Sequence, residues 1–217
     1  MLYFVGTGPG DKELITLKAL RLIKEAEAIV YPDTGMGKSS VLNIISDYTE
    51  GKPLYPVSIP MKGGRESWLM AHKAAAERIL ELSGQYKNLV YPVLGDPGIY
   101  ASCSYLISLL DIDCEIIPGI SSFCLGAAEL KIPLCEQGEK LIIQDSISGK
   151  LPEDNCVIMK SGRKLSEIKA AAKGREAYAL RNLGMDKQWL GRLSDIPEDE
   201  YSYFTSVIIK KDKSEDR

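Results

Sequence analysis

The chain has 217 residues, 45% of them hydrophobic and 26% charged, so it can bury the core of one large domain or of two small ones. A net charge of −3 and a pI near 5.4 argue against general nucleic-acid binding, so an anionic ligand would have to meet local basic residues. No apolar run approaches the roughly 18 residues of a membrane span, and no leader segment precedes the first predicted strand. We therefore expect a cytoplasmic protein with neither a membrane nor a nucleic-acid partner.

The cysteine and histidine content narrows the possible chemistry. The five cysteines are spaced about ten or more residues apart without a CxxC pair, which is typical of reduced core thiols. His72 is the single histidine, and it lies in a predicted helix. A zinc site with histidine and cysteine ligands, or a Ser-His-Asp triad, therefore has little support. We expect His72 to have a solvated or packing role rather than a catalytic one, and we predict no metal site.

The first predicted strand, residues 2–5, runs into the loop Gly-Thr-Gly-Pro-Gly-Asp. This loop is not the dinucleotide motif GxGxxG, because Asp11 takes the place of the third glycine and Pro9 has no N–H to offer a phosphate. Glycines beside a stiff proline instead suit a bulky or flat ligand that lies against the backbone. Asp11 can cap the helix that follows or contact the ligand directly.

The centre of the chain repeats one pattern twice. Residues 89–94 form a short apolar run that stops at Gly-Asp-Pro-Gly, and residues 114–117 form another that stops at Pro-Gly-Ile-Ser-Ser. A helical pattern follows each turn, so the sequence predicts a parallel α/β arrangement. In such sheets ligands bind beyond the carboxyl ends of the strands, where both turns lie. Ordinary strand-to-helix connections remain the alternative, but Asp96 between Gly95 and Pro97 is a costly choice for a plain connector.

The remaining elements complete two α/β domains, residues 1–113 and 114–217. In the first, residues 28–31 form a strand, residues 55–61 an extended edge segment with two prolines, and residues 68–82 a long helix. In the second, the pattern predicts strands at 140–144, 156–160, 177–181 and 203–210 and a helix at 164–172.

Several segments together resemble the tetrapyrrole (corrin/porphyrin) methylase family, whose members transfer methyl from S-adenosylmethionine to a tetrapyrrole macrocycle. The resemblance covers nearly the whole chain in the right order. It rests on VGTGPGD at 5–11, LGDPGIY at 94–100, PGISSF at 118–123, AAELKIPL at 127–134 and YFTSVIIKK at 203–211.

The resemblance implies the family's fold, in which two α/β domains enclose a cofactor cleft, with S-adenosylmethionine as the cofactor. Pro9 would lie against the cofactor, and Ser121 and Ser122 would add polar contacts. The methionine and ribose end would be held by Leu94, Gly95, Asp96 and Ile99. The adenine would be covered by Met159, Asn182 and Leu183, although Met159 can equally be a core residue of its strand.

Within the family, several details resemble the branch that methylates carbon-20 of precorrin-2 or cobalt-factor II in cobalamin synthesis. These are Tyr31-Pro32, Ile59-Pro60-Met61, the ASCSYL segment after the Gly-Asp-Pro turn and Pro133-Leu134. A basic rim of Lys38, Lys62 and Arg65 would meet the carboxylates of the macrocycle, unless these side chains are merely solvated. The family resemblance also implies a homodimer.

Three other functions stay open. The chain could methylate another tetrapyrrole position, of the carbon-11 or uroporphyrinogen III type. It could be a diphthine-synthase-like or RNA methyltransferase of the same superfamily, although the acidic pI disfavours RNA. It could also be a regulatory binder that has kept the cleft without turnover.

Overall fold

The computed structural model describes residues 1–35, 39–60, 63–147, 150–197 and 202–212. Lys38 and Lys62, two residues of the predicted basic rim, lie outside the described residues. The chain divides into two compact units, Met1–Ser121 and Ser122–Arg217. The boundary expected from the sequence, between residues 113 and 114, falls before this division, because the strand that starts at Cys114 pairs within the first unit.

The first unit is built on a five-stranded parallel sheet with the order β3-β2-β4-β1-β5. Its strands are β1 (Leu2–Gly6), β2 (Ala28–Asp33), β3 (Leu54–Ser58), β4 (Leu89–Val93) and β5 (Cys114–Ile117). The predicted parallel arrangement is therefore confirmed. Strand β3, which contains Pro56, lies at an edge as predicted, and an edge suits proline because proline has no N–H to donate to a neighbouring strand.

Helices cover both faces of this sheet. They are α1 (Leu17–Glu25), α2 (Ser40–Ile45), α3 (Arg65–Gln85) and α4 (Cys103–Leu109). Helices α1 and α2 pack on one face around Ile23, Ile45 and Val90, whereas α3 and α4 pack on the other around Ile79 and Leu106. Alternate residues of each strand thus enter two separate cores, which explains why the strands read as continuous apolar runs.

Helix α1 begins later than the sequence suggested. Asp11 caps a short 3₁₀ turn, Lys12–Leu14, by accepting a hydrogen bond from the Glu13 N–H at 2.9 Å. The α-helix itself starts after Thr16, whose hydroxyl accepts from the Ala19 N–H at 3.2 Å. Leu17, the first residue of α1, is 86% exposed.

The pairing of β2 with β4 is short. It covers Ala28–Leu89 and Ile29–Val90, and ends before Pro92. On its other side, β4 stays paired with β1 as far as Gly6 and Val93. Because proline has no N–H for a ladder, a central strand tolerates Pro92 only where one neighbour has already separated. The turn after β4 is therefore supported from the β1 side.

The second unit contains a mixed sheet with the order β6-β7-β10-β8-β9, in which only β6 and β7 are parallel neighbours. The strands are β6 (Leu141–Gln144), β7 (Asn155–Ile158), β8 (Ala177–Arg181), β9 (Trp189–Arg192) and β10 (Thr205–Ile209); the helices are α5 (Ser122–Leu130) and α6 (Leu165–Ala171). Strand β9 was not predicted, because it is short and contains a glycine. Since β7 and β8 both run antiparallel to β10, their carboxyl ends lie at the same edge.

Helix α5 packs closely on this second sheet. A Cβ at Gly126 would lie 2.6 Å from Cδ1 of Leu180 and 3.1 Å from Cδ1 of Leu183. The absence of a side chain at this position therefore sets the distance between helix and sheet. None of the helices in the described part of the chain is both long and apolar enough to cross a membrane.

Arg175 ties the end of β10 to the turn before β7. Its guanidinium donates to the carbonyl of Lys210 through Nε at 3.0 Å and Nη2 at 2.8 Å. The same group donates to the carbonyls of Asp154 at 2.9 Å, of Glu153 at 3.3 Å and of Pro152. One side chain thus satisfies carbonyl groups of two separate segments.

Replacing Arg175 with methionine should lower the free energy of unfolding by about 2–4 kcal/mol, because several charge-assisted hydrogen bonds are lost while the apolar stem is kept. Urea unfolding followed by circular dichroism measures the effect. The control is Lys173→Met, since Lys173 is exposed in the same segment. Equal midpoints for the two variants would contradict this role for Arg175.

Candidate functional site

The carboxyl edge of the first sheet brings three loops together. Strands β4, β1 and β5 are neighbours in that order and run parallel. The segments that follow them, which begin at Leu94, Thr7 and Pro118, therefore leave the sheet side by side. This is the edge at which open α/β sheets bind ligands.

Backbone contact between glycines holds these three segments at close range. A Cβ at Gly119 would lie 2.1 Å from the carbonyl oxygen of Gly95, and a Cβ at Gly6 would lie 2.6 Å from the nitrogen of Gly119. No side chain fits at either position without moving backbone. Gly95 also has a φ of +73°, which other residues rarely adopt. Glycine is therefore required at Gly6 and Gly119 by the lack of space and is favoured at Gly95 by its backbone conformation.

Hydrogen bonds join the loop after β1 to the turn after β4. The N–H of Thr7 donates to the carbonyl of Val93 at 2.8 Å, and its hydroxyl donates to the same oxygen at 3.1 Å. Beyond them, the Gly95 N–H donates to the Gly8 carbonyl at 2.8 Å, and the Gly8 N–H donates back at 3.4 Å. Pro9, which follows Gly8, is buried.

The carboxylate of Asp96 connects the turn after β4 to the turn after β5. Its Oδ1 accepts from the Gly98 N–H at 2.7 Å, and its Oδ2 accepts from the Gly119 N–H at 2.9 Å. The side chain is half-buried. Asp96 thus fixes the shape of its own turn and holds the neighbouring loop against it. Its oxygens retain lone pairs that could accept from a ligand, so direct ligand contact stays a prediction.

Two titratable groups beneath Asp96 are held in their neutral forms. Burial, reinforced by the negative charge of Asp96, raises the pKa of the Cys103 thiol to about 12. The Cys103 Sγ lies 3.7 Å from the Pro97 carbonyl, to which it donates. Burial also raises the pKa of Tyr91 far above its usual range, with a further contribution from Cys103. Neither group can act as a base or a thiolate nucleophile near neutral pH.

The predicted residues of the first unit lie on these connected loops. Leu94 and Ile99 are half-buried, with Leu94 packed on the core beneath α1 and α2. Ser121, two residues beyond Gly119, is buried. Beside Gly95 there is room: a Cβ there would meet only the carbonyl oxygen of Ile120, at 4.0 Å. A ligand can therefore approach the Gly95 backbone closely.

The predicted residues of the second unit also share an edge of their sheet. Met159 follows β7 and Asn182 follows β8, at the carboxyl ends of two strands that run in the same direction. Asn182 has a φ of +53°, and its side-chain oxygen accepts from the Ser202 hydroxyl at 2.5 Å. Met159 is half-buried, and its N–H donates to the Gln144 carbonyl at 2.8 Å.

Leu183 and Ser122 are less available than the sequence suggested. The Leu183 side chain is buried against α5 near Gly126, so only its backbone can reach a ligand. Ser122 is half-buried and is the first residue of α5. Beside Asn182, Phe204 is 41% exposed, and its carbonyl accepts from the Asn182 N–H at 2.9 Å.

A parallel α/β unit with a glycine-lined carboxyl edge, followed by a second unit with a mixed sheet, places the chain in the class of two-unit α/β proteins. Comparison with known proteins is more specific. The family model for tetrapyrrole (corrin/porphyrin) methylases matches residues 1–197. The chain belongs to this family, and it is a methyltransferase by that membership.

Two relatives are similar to the chain over almost their whole length. The chain is 33% identical to a probable cobalt-precorrin-2 C(20)-methyltransferase of Methanocaldococcus jannaschii, covering 98% of this chain and 96% of the relative. It is 28% identical to a precorrin-2 C(20)-methyltransferase of Sinorhizobium, covering 94% of this chain and 93% of the relative.

Solved structures share the fold. A putative cobalamin-synthesis-related protein (CobF) of Corynebacterium diphtheriae superimposes with a TM-score of 0.78 at 23% identity, over 97% of this chain and 98% of that one. The uroporphyrin-III C-methyltransferase of Thermus thermophilus, solved with S-adenosylhomocysteine, gives a TM-score of 0.66 at 21% identity, over 97% of each chain.

Replacing Asp96 with asparagine should both destabilise the first unit and weaken ligand binding at this edge. The amide can accept at one position only, and its NH₂ would face a backbone N–H. We expect a loss of about 1–3 kcal/mol in unfolding free energy, measured by urea unfolding, together with weaker S-adenosylhomocysteine binding by calorimetry.

The exposed Asp111, changed to asparagine, is the matched control. A D96N variant with unchanged stability but weakened binding would show that Asp96 serves the ligand alone. A variant unchanged in both properties would rule out either role.

Proposed function

We propose that this chain transfers a methyl group from S-adenosylmethionine to carbon-20 of precorrin-2 or cobalt-factor II in cobalamin biosynthesis. The observation that carries the proposal is the similarity, over nearly the whole chain, to relatives named for methylation at that carbon. The glycine-lined edge of the first sheet supports it, because it offers a ligand the backbone of a turn that is fixed in advance.

The residues at this edge fit S-adenosylmethionine, which would supply the methyl group as a sulfonium. The open space beside Gly95 lets a bulky ligand lie against the backbone. The Asp96 carboxylate carries a negative charge next to that space, which suits a cation. We assign the methionine and ribose end to Leu94, Gly95, Asp96 and Ile99, with Pro9, Ser121 and Ser122 as further contacts. We assign the adenine to Met159, Asn182 and the backbone of Leu183.

The side chains at this edge serve catalysis chiefly by positioning. Methyl transfer is an in-line displacement, whose rate depends on holding the attacking carbon in the right geometry. The contacts among Gly6, Gly95 and Gly119 and the bonds of Asp96 fix the loops before a ligand arrives. Cys103 and Tyr91 remain protonated beneath them, so neither competes as a nucleophile.

For the substrate, we keep the basic rim as part of the proposal. Arg65 is exposed and is the first residue of α3, which follows the edge strand β3. A guanidinium there can pair with the carboxylates at the periphery of a tetrapyrrole. Lys38 and Lys62 would complete the rim.

A cytoplasmic homodimer is the assembly that we propose by resemblance to the family.

Methylation at another tetrapyrrole carbon is the principal alternative, because the fold is shared with a uroporphyrin-III methyltransferase and does not by itself select the carbon. A diphthine-synthase-like or RNA methyltransferase, or a regulatory binder without turnover, remains a more distant one. The deciding observation is the identity of the methylated atom.

The test incubates the purified protein with ¹³C-methyl S-adenosylmethionine and either precorrin-2 or cobalt-factor II under anaerobic conditions. We expect a gain of one methyl by mass spectrometry and a ¹³C signal from carbon-20. Faster turnover of one substrate would show whether the enzyme acts on the cobalt-bound or the metal-free macrocycle. Methylation at a different carbon, or of a protein or RNA offered in parallel, would contradict the proposal.

A further inference from the structure

Three aromatic side chains form a packed column on the first unit. Trp68 and His72 lie one turn apart on α3, with ring centroids 3.8 Å apart and planes inclined by 35°. Tyr105 of α4 closes the group, with its ring centroid 4.7 Å from that of Trp68 and 5.5 Å, edge-on, from that of His72. Trp68 and Tyr105 are half-buried, whereas His72 is completely buried.

The column lies towards the ligand-binding edge of the sheet. Helix α3 begins at Arg65 after β3, and α4 begins at Cys103 after the turn that follows β4. Because β3 and β4 belong to one parallel sheet, both helices start at its carboxyl edge. Trp68 and Tyr105 are in the first turn of their helices, on the side of the sheet opposite α1 and α2.

His72 is more polar than packing alone requires. Its Nδ1 lies 2.8 Å from the Trp68 carbonyl. Because a carbonyl can only accept, Nδ1 must carry a hydrogen. Its Nε2 is buried and has no hydrogen-bond partner in the described part of the chain. A phenylalanine would fill the same space without an unpaired buried nitrogen, but it could not donate to the Trp68 carbonyl, so this hydrogen bond is what distinguishes the imidazole from an apolar ring.

The same face of α3 also carries a positive charge. Arg65, Trp68 and His72 are spaced by three and four residues, which places them along one side of the helix. Arg65 is exposed, and among the described residues it makes no ion pair. A cation at the end of a half-buried aromatic surface matches a flat ligand with an apolar face and a carboxylate periphery.

We propose that Trp68 and Tyr105 are specificity-determining residues that contact the face of the tetrapyrrole, and that His72 is a positioning residue that holds Trp68 in place. The inference rests on the proposed function and names the surface that would recognise the macrocycle. Aromatic rings favour stacked or edge-on contact with other π systems, and they keep their shape because they have few rotatable bonds. The sequence analysis assigned neither side chain to the site, although Tyr105 lies in the ASCSYL segment.

The test compares binding of precorrin-2, followed anaerobically by absorbance, with binding of S-adenosylhomocysteine, followed by calorimetry. Trp68→Leu and Tyr105→Leu keep apolar volume but remove the ring, and we expect each to weaken precorrin-2 binding about tenfold or more. Trp68→Phe and Tyr105→Phe should stay within about threefold of the unmodified protein. S-adenosylhomocysteine affinity should not change, which also shows that the variants are folded.

Met70→Ala is the matched control, because Met70 is on the same helix and 66% exposed. His72→Phe tests the positioning role, because it keeps a ring against Trp68 but removes the hydrogen bond from Nδ1 to the Trp68 carbonyl. We expect thermal stability to be kept or raised, while the KM for the tetrapyrrole rises and that for S-adenosylmethionine does not. A purely structural histidine would leave both KM values unchanged.

The outcomes separate the two proposals. If the unmodified protein binds precorrin-2 and the leucine variants bind it equally well, the aromatic surface is not the contact and this inference is wrong. If the unmodified protein binds S-adenosylhomocysteine but no tetrapyrrole, the proposed function fails, and this inference fails with it.

Discussion

The contact among Gly6, Gly95 and Gly119 is the constraint on which the site depends. The loops that follow three adjacent strands meet at one point, and the backbone atoms there leave no space for a side chain at Gly6 or Gly119. Asp96 secures the arrangement, because its two oxygens accept N–H groups from separate turns. The edge that would meet a ligand is therefore built from fixed backbone, and it needs no large rearrangement to form.

Fixed backbone also explains the kind of chemistry that the site can support. Transfer of an activated methyl group requires geometry more than proton transfer. Burial keeps Cys103 and Tyr91 protonated beneath the loops, so neither side chain offers a nucleophile that could compete for the methyl group. The aromatic column of Trp68 and Tyr105 would add to this a surface suited to a large flat substrate.

The sequence predicted the parallel sheet and the position of Asp96, because strand, glycine turn and helix succeed one another in a regular pattern. It could not predict that Asp96 also accepts from the N–H of Gly119, because this hydrogen bond joins two turns that follow different strands. It also placed Leu183 on a ligand surface, whereas the close approach of α5 at Gly126 buries that side chain. Such outcomes depend on how elements pack together, which local patterns do not record.

A crystal structure of the protein with S-adenosylhomocysteine tests the central claim most directly. The account predicts that the ligand lies against the backbone of Gly95, while Asp96 keeps its bonds to the N–H groups of Gly98 and Gly119. A ligand bound elsewhere, or an Asp96 side chain that leaves Gly119 to bind the ligand, would contradict the account.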